Sequence, residues 1–227
     1  MIVYVPRQYE MDDEHLRRFL AQPRAGDLVT VTPHGPEATL LPVVYHPDDG
    51  PHGSFIAHMS RVNPQWRAEI IGEALLILTG PHAFMTTRWM PDVLAAGTAI
   101  PTWNYLSVHA YGRLVIHDDE QWACRAAAEL AELLEPGYDV DALPEPYRSG
   151  QLRAIVGIEL QVTRVVAKAK LSQNRSLSDL AEIVAGLRDA GLDELATETE
   201  QIACPYAARR DEVVTQAAAN RDRPART

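Results

Sequence analysis

Thr102-Trp103-Asn104-Tyr105-Leu106-Ser107-Val108-His109-Ala110-Tyr111-Gly112-Arg113-Leu114-Val115-Ile116-His117 reads as one long β-strand. Successive side chains of a strand point to opposite faces. One face therefore carries Thr102, Asn104, Leu106, Val108 and Ala110, and the other Trp103, Tyr105, Ser107, His109 and Tyr111. The first face suits a core. The second gathers aromatic and histidine side chains in a chain that is only 7% aromatic.

Shorter β-branched segments precede this strand, each bounded by turn residues. Leu28–Thr32 runs into Pro33-His34-Gly35-Pro36, and Ala38–Tyr45 into Pro47-Asp48-Asp49-Gly50-Pro51; Ser54–His58 follows. Ala74–Thr79 and Ala83–Arg88 flank Gly80-Pro81, which predicts a turn or bulge, and Ile155–Ala169 predicts one or two further strands. Six or seven strands in consecutive antiparallel order, without alternating helices, predict a barrel and not a doubly wound sheet.

Helices are expected at 12–22, after Asn63-Pro64, from Asp118-Asp119 to Leu134, at Ser178–Ala190 and over roughly 193–202. Residues 90–101 and 138–151 read as loops, and 170–175 as a turn. The fold class expected is mainly β with flanking helices (α+β), an antiparallel barrel followed by C-terminal helices. Its expected divisions are a barrel domain over 1–175, a helical extension over 176–204 and a flexible tail over 205–227.

The 227 residues are 46% apolar, enough for a sizeable core. No apolar run approaches the ~20 residues of a membrane helix. The acids after Met1–Pro6 (Glu10, Asp12, Asp13, Glu14) are the wrong pattern for a secretory signal. Cys124 and Cys204 show no metal-ligand spacing and no disulfide framework, which points to a reducing, cytoplasmic setting. A net charge of −10 repels nucleic-acid phosphates, and the helices of 178–202 add Asp179, Glu182, Asp189, Asp193, Glu194, Glu198 and Glu200. Direct DNA binding is therefore not expected of this chain alone. The arginines of the tail (Arg209, Arg210, Arg221, Arg223, Arg226) are interleaved with acids and read as solvated.

Four stretches carry candidate chemistry. Ser60-Arg61 precedes the Asn63-Pro64 helix start, a junction whose free N–H groups and guanidinium suit an anion, although simple capping is the commoner outcome. Thr39-Leu40-Leu41-Pro42 places a proline in a strand, which predicts an edge or opening. His58, His82 and His109 lack zinc-site spacing, so no metal is expected and half-buried histidines are the simplest outcome. Lys170-Leu171-Ser172-Gln173-Asn174-Arg175 packs two cations and three hydrogen-bonding side chains into one segment, either a polar turn or part of a phosphate site. Phosphate-binding glycine loops and the nucleophile elbow of serine hydrolases are not found.

Taken together, these segments resemble the PaiB family of FMN-binding negative transcriptional regulators. The resemblance rests on Tyr4-Val5-Pro6, Thr39-Leu40-Leu41-Pro42, Ala57-His58, Asn63-Pro64-Gln65-Trp66-Arg67, Gly80-Pro81-His82-Ala83, Pro101-Thr102-Trp103-Asn104-Tyr105, Val108-His109, Tyr111-Gly112, Ile155-Val156-Gly157 and Lys170–Arg175. It implies a split barrel similar to pyridoxamine-phosphate oxidase-like proteins, a homodimer, and FMN in a groove at the subunit interface. By that likeness Thr39, Leu40 and Leu41 would meet the ring edge, and Ala57, His58, Ser60, Arg61 and Asn63 the ribityl chain and phosphate. Trp103, Asn104, Lys170, Ser172, Gln173 and Arg175 would approach from the second subunit. The sequence departs from the pattern where Arg61 is followed by Val62, since related flavoproteins often carry two adjacent cations there.

The first function expected is an FMN-binding regulator acting without strong direct DNA binding. An FMN-dependent oxidoreductase is the alternative, with His58, His82, Tyr105 and His109 as candidates for proton delivery and no catalytic residue assigned. A barrel that has lost its flavin and serves as an interaction protein is the third.

Overall fold

The computed structural model describes residues 3–221. In chain order the regular elements are α1 (Asp13–Leu20), β1 (Arg24–Thr32), β2 (Gly35–His46), β3 (Ser54–Ser60), β4 (Ala74–Met85), α2 (Pro91–Ala95) and β5 (Thr102–His117). They continue with α3 (Glu120–Leu134), α4 (Tyr147–Arg153), β6 (Ile155–Lys170), α5 (Leu177–Asp189), α6 (Asp193–Glu198) and α7 (Cys204–Arg221). Short 3-10 turns punctuate them, and Thr199–Ala203 is a π-helical turn between α6 and α7.

The six strands close into a barrel in the order β1-β2-β3-β6-β5-β4. The expected consecutive order therefore holds within β1-β2-β3 and within β4-β5-β6 but not between them. After β3 the chain leaves through the Pro64–Arg67 turn and returns as β4 beside β1, and β3 pairs with β6 instead. The long connection between Ser60 and Ala74 frees the chain from hairpin pairing. Gly80-Pro81 lies inside one continuous strand. β4 pairs with β1 only over Leu75–Leu78, so Pro81, which has no N–H to donate, falls beyond that ladder. The two expected loops contain α2 and α4, helices too short to leave a periodic signal.

The chain forms two compact units. The larger comprises Asp12–Leu78 and Ser107–Ala167. Here Thr32↔Gly35 closes the β1–β2 hairpin around Pro33-His34, and Gly35, directly after the turn, takes a positive φ (118°) that favours glycine. Leu28, Leu41, Val43, Met59, Leu76, Leu78, Val108, Val156 and Leu160 are buried in it. Each such side chain contributes about 1.5–3 kcal/mol relative to exposure. On the outer side α3 begins at Asp119, whose carboxylate accepts from Trp122 N at 2.7 Å. Gly157 leaves room for the Trp122 ring, which a Cβ would meet at 2.0 Å.

The smaller unit takes in Thr79–Leu106, the chain from Lys168 onward and the N-terminal residues up to Met11. Its core is helical. Leu180, Ile183 and Leu187 of α5 are fully buried, and Ser176 caps the helix by accepting from Asp179 N at 3.0 Å. Asp179 is itself buried and accepts from Asp92 N at the start of α2. Residues 205–221, expected in a flexible tail, belong to α7, with Ala207 fully buried; 222–227 lie outside the described residues.

Candidate functional site

In β5 the even-numbered residues Asn104, Leu106, Val108 and Ala110 are buried, and Trp103, Tyr105, Ser107, His109 and Tyr111 on the other face are exposed or half-buried. Candidate site residues occur in both units.

In the larger unit β2 pairs with β1 from Gly35 to Val43 but with β3 only over Val44–His46. The flank of Thr39, Leu40 and Leu41 away from β1 is thus not laddered to β3, as Pro42 predicts. Side chains serve that flank instead. Thr39 Oγ1 donates to Gln65 Oε1 at 2.5 Å and accepts from Asn63 Nδ2 at 2.9 Å. Gln65 Nε2 lies within hydrogen-bond distance of Leu28 O, Thr30 Oγ1 and Glu37 O. Gln65, which the sequence offered within the Asn63-Pro64-Gln65-Trp66-Arg67 block but not as a site residue, is the buried hub of this group. Leu40 is 64% exposed and Leu41 is buried.

Arg61 is engaged by the protein. Nε donates to Arg153 O and Nη2 to Ile155 O, both at 2.8 Å, and Nη1 pairs with Asp118. The fork fastens the end of β3 to the start of β6, and Ser60 and Ala57 are paired in that same ladder. His58 and His109 are half-buried, and each Nδ1 is buried with no partner among the described residues. Burial pushes both imidazoles below their ordinary pKa, which favours the neutral ring.

In the smaller unit Thr102, Asn104, Lys170, Ser172 and Arg175 surround a cavity of about 230 Å³ with Tyr9, Ile100, Pro101 and Asn174. Lys170 Nζ donates to Thr102 Oγ1 and, at 2.6 Å, to Trp103 O. Burial, then the neighbouring charges of Lys168 and Arg175, lowers its pKa. Arg175 Nε is buried and has no partner among the described residues. Asn104 and Ser172, both buried, pair with each other. Ser172 has φ +66°, a left-handed conformation unusual outside glycine and common where a turn is held for function. Gln173 lines the turn from within: Oε1 accepts from Leu171 N at 2.8 Å and Nε2 donates to Ala169 O at 2.6 Å. Trp103 is 49% exposed; its Nε1 donates to His82 Nδ1 at 3.2 Å, and its ring tilts against Phe84.

The fold defines a class first. Solved structures sharing it include the flavocytochrome Anf3 from Azotobacter vinelandii, with a TM-score of 0.56 and 15% identity over 73% of this chain and 72% of that one. The FAD and heme binding protein from Mycobacterium smegmatis gives 0.53 and 15% over 72% and 74%. This is the antiparallel split barrel with flanking helices. Within that class the chain belongs to the family described as "Putative FMN-binding domain", whose model matches residues 3–164. It is 29% identical over 197 residues to the protease synthase and sporulation protein PAI 2 of Bacillus subtilis, covering 82% of this chain and 90% of that protein. A protein of Aspergillus fumigatus is 25% identical over 178 residues, 62% of this chain and 68% of that one.

FMN is the family's cofactor, and the cationic cavity is a candidate seat for its phosphate. Two cations line it, one with a buried unpartnered donor, beside the hydroxyls of Tyr9, Thr102 and Ser172 and the carboxamides of Asn104 and Asn174. The cavity is smaller than the 300–1,000 Å³ of a typical pocket for a whole ligand. It suits the anionic end of a flavin, not its ring. Among the described residues no His, Cys, Asp or Glu cluster could hold a metal ion, and no helix is long and apolar enough to cross a membrane.

Proposed function

We propose that this chain is an FMN-binding regulatory protein of the negative transcriptional regulator type. In this reading it holds the FMN phosphate between Lys170 and Arg175 and acts without strong direct DNA binding. One observation carries it: in a chain with 31 acids and 21 bases, the cavity is lined by two cations and no carboxylate. The bound flavin would supply a redox-active or signal-bearing ring; the protein supplies position and charge. Lys170 has two of its three donors committed to Thr102 and Trp103, which aims the ammonium. Arg61, engaged with Asp118 and two carbonyls, orders the β3–β6 junction. The same reading expects a cytoplasmic homodimer with flavin at the subunit interface, where exposed Phe84 and Trp103 would supply apolar contact area. The name of the Bacillus relative, a sporulation protein, supports a regulatory role.

The test is a titration of the purified protein with FMN and with riboflavin, followed by flavin fluorescence. Saturable FMN binding at least about tenfold tighter than riboflavin, abolished as a preference by Lys170→Met, is the expected result. Equal affinity for the two flavins overturns the phosphate assignment. A sequence-specific mobility shift with purified protein at physiological salt overturns the claim about DNA.

The unpartnered, neutral His58 and His109 favour a second reading, an FMN-dependent oxidoreductase in which one of them relays a proton. Steady NAD(P)H oxidation with FMN present, lost in His109→Gln or His58→Gln, would select it.

A further inference from the structure

The turn that carries Arg175 is held from both sides. From within, the Gln173 carboxamide ties Leu171 N to Ala169 O. From outside, Arg210 of α7 donates through Nη1 to Gln173 O at 2.9 Å and through Nη2 to Arg175 O at 3.0 Å. Asp211 Oδ1 accepts from Arg210 Nε at 2.9 Å and from Nη2 at 2.8 Å, which fixes the plane of the guanidinium. A planar fork on two carbonyls two residues apart sets the curvature of the backbone between them. Immediately before it stands Ser172, at φ +66°, whose carbonyl accepts from Arg175 N–H at 2.9 Å and closes the turn.

The placement of Arg210 depends on the π-helical turn Thr199–Ala203. One extra residue in a helical turn rotates everything after it by about 100°. From the last residue of that turn onward, Ala203, Ala207 and Arg210 follow one another at helical spacing on one face, with both alanines fully buried and the guanidinium on the Gln173 and Arg175 carbonyls. Thr199, buried at the start of the turn, returns its hydroxyl to Leu195 O at 2.7 Å.

We infer that Arg210 is a positioning residue for the anion cavity and that α7 is part of the flavin-binding apparatus. It holds the 173–175 backbone so that the Arg175 guanidinium and the Lys170 ammonium face one phosphate. This rests on the reading of the cavity as the seat of the FMN phosphate.

The experiment compares Arg210→Gln and Arg210→Lys with the unsubstituted chain in FMN and riboflavin titrations, alongside amide hydrogen exchange. Arg210→Gln should raise the Kd for FMN roughly tenfold and leave riboflavin within about twofold, because only the phosphate grip is misplaced. Exchange should quicken at the amides of 171–175 and stay unchanged in the barrel strands. Arg210→Lys, which keeps the charge and one of the two carbonyl contacts, should lose less. Should Arg210→Gln not fold, Arg210→Lys carries the comparison alone. An unchanged Kd for FMN, or an equal loss for both flavins, overturns the inference. Lys170→Met separates the two levels. If it removes the FMN preference while Arg210→Gln retains it, the cavity stands and the role of Arg210 falls. If Lys170→Met keeps the preference, the cavity reading itself fails.

Discussion

Asn104 and Ser172 exchange hydrogen bonds in both directions: Asn104 Nδ2 donates to Ser172 Oγ at 3.0 Å, and Ser172 Oγ donates to Asn104 Oδ1 at 3.1 Å. One residue is 68 positions from the other, and both are buried. The pair ties the start of β5 to the turn after β6, and so fixes two walls of the cavity against each other.

Ser172→Ala should therefore cost about 1–3 kcal/mol, the penalty of leaving a buried carboxamide unpaired. Ser172→Gly loses the same pair but relieves the positive φ, worth roughly 1 kcal/mol. Urea unfolding should rank the chain above Ser172→Gly, and Ser172→Gly above Ser172→Ala. A reversed order of the two variants would remove backbone strain from the account.

Gln65→Leu fills the same volume without donors or acceptors. It should destabilise the larger unit by about 2–3 kcal/mol, since Thr30, Thr39 and the Leu28 carbonyl lose a buried partner together. Thermal unfolding read through strand circular dichroism checks it; a shift within error would mean water replaces the hub.

Gly157→Ala places a methyl group 2.0 Å from Trp122 Cε3 and should cost about 1–3 kcal/mol by overpacking. Trp122→Leu in the same chain should recover part of that loss, a coupling that a double-mutant cycle measures directly. Additive losses would show that the glycine is required for something other than the ring.

Arg61→Ala should lower stability by about 1.5–3 kcal/mol, the scale of hydrogen bonds from a charged group. The ratio of FMN to riboflavin affinity should hold. A fall in that ratio with stability intact would return Arg61 to the phosphate.

Stability should also depend on pH through His58 and His109. Burial lowers both folded-state pKa values below the unfolded value of about 6.5, so the unfolded chain binds protons first. Their contribution is complete above that unfolded value and is lost progressively as pH falls from it toward the folded values. Urea midpoints measured from about pH 7.5 to about 5.5 should decline, and the decline should flatten in the double variant His58→Gln, His109→Gln. An unaltered slope would assign the acid sensitivity to other groups.

The barrel was legible because its strands announce themselves by period and by turn residues. β5 spans the 16 residues expected of it, and Asp119 and Asn63 cap helices through short-range contacts visible in sequence. Strand order was not legible, since nothing local in Ser60–Ala74 says that β4 returns beside β1. Individual roles were legible only in part. The Lys170–Arg175 run was conspicuous by composition, but that Gln173 turns inward and Arg61 meets Asp118 depends on contacts 2 and 57 positions away. Residues 205–221 were misread for a related reason. An alanine- and arginine-rich helix of low amphipathicity looks solvated until Ala207 and Arg210 are seen to be occupied.

The unladdered flank of β2 has a last consequence. At Thr39 the hydroxyl is held by the Asn63 and Gln65 side chains, where a neighbouring strand would impose a fixed spacing of about 4.8 Å. Side-chain length is open to single substitutions, and strand spacing is not. A shorter carboxamide, as in Gln65→Asn, cannot reach Thr39, Leu28 and Thr30 together, so this stretch of β2 is open to change by one substitution while its strand register with β1 stays as it is.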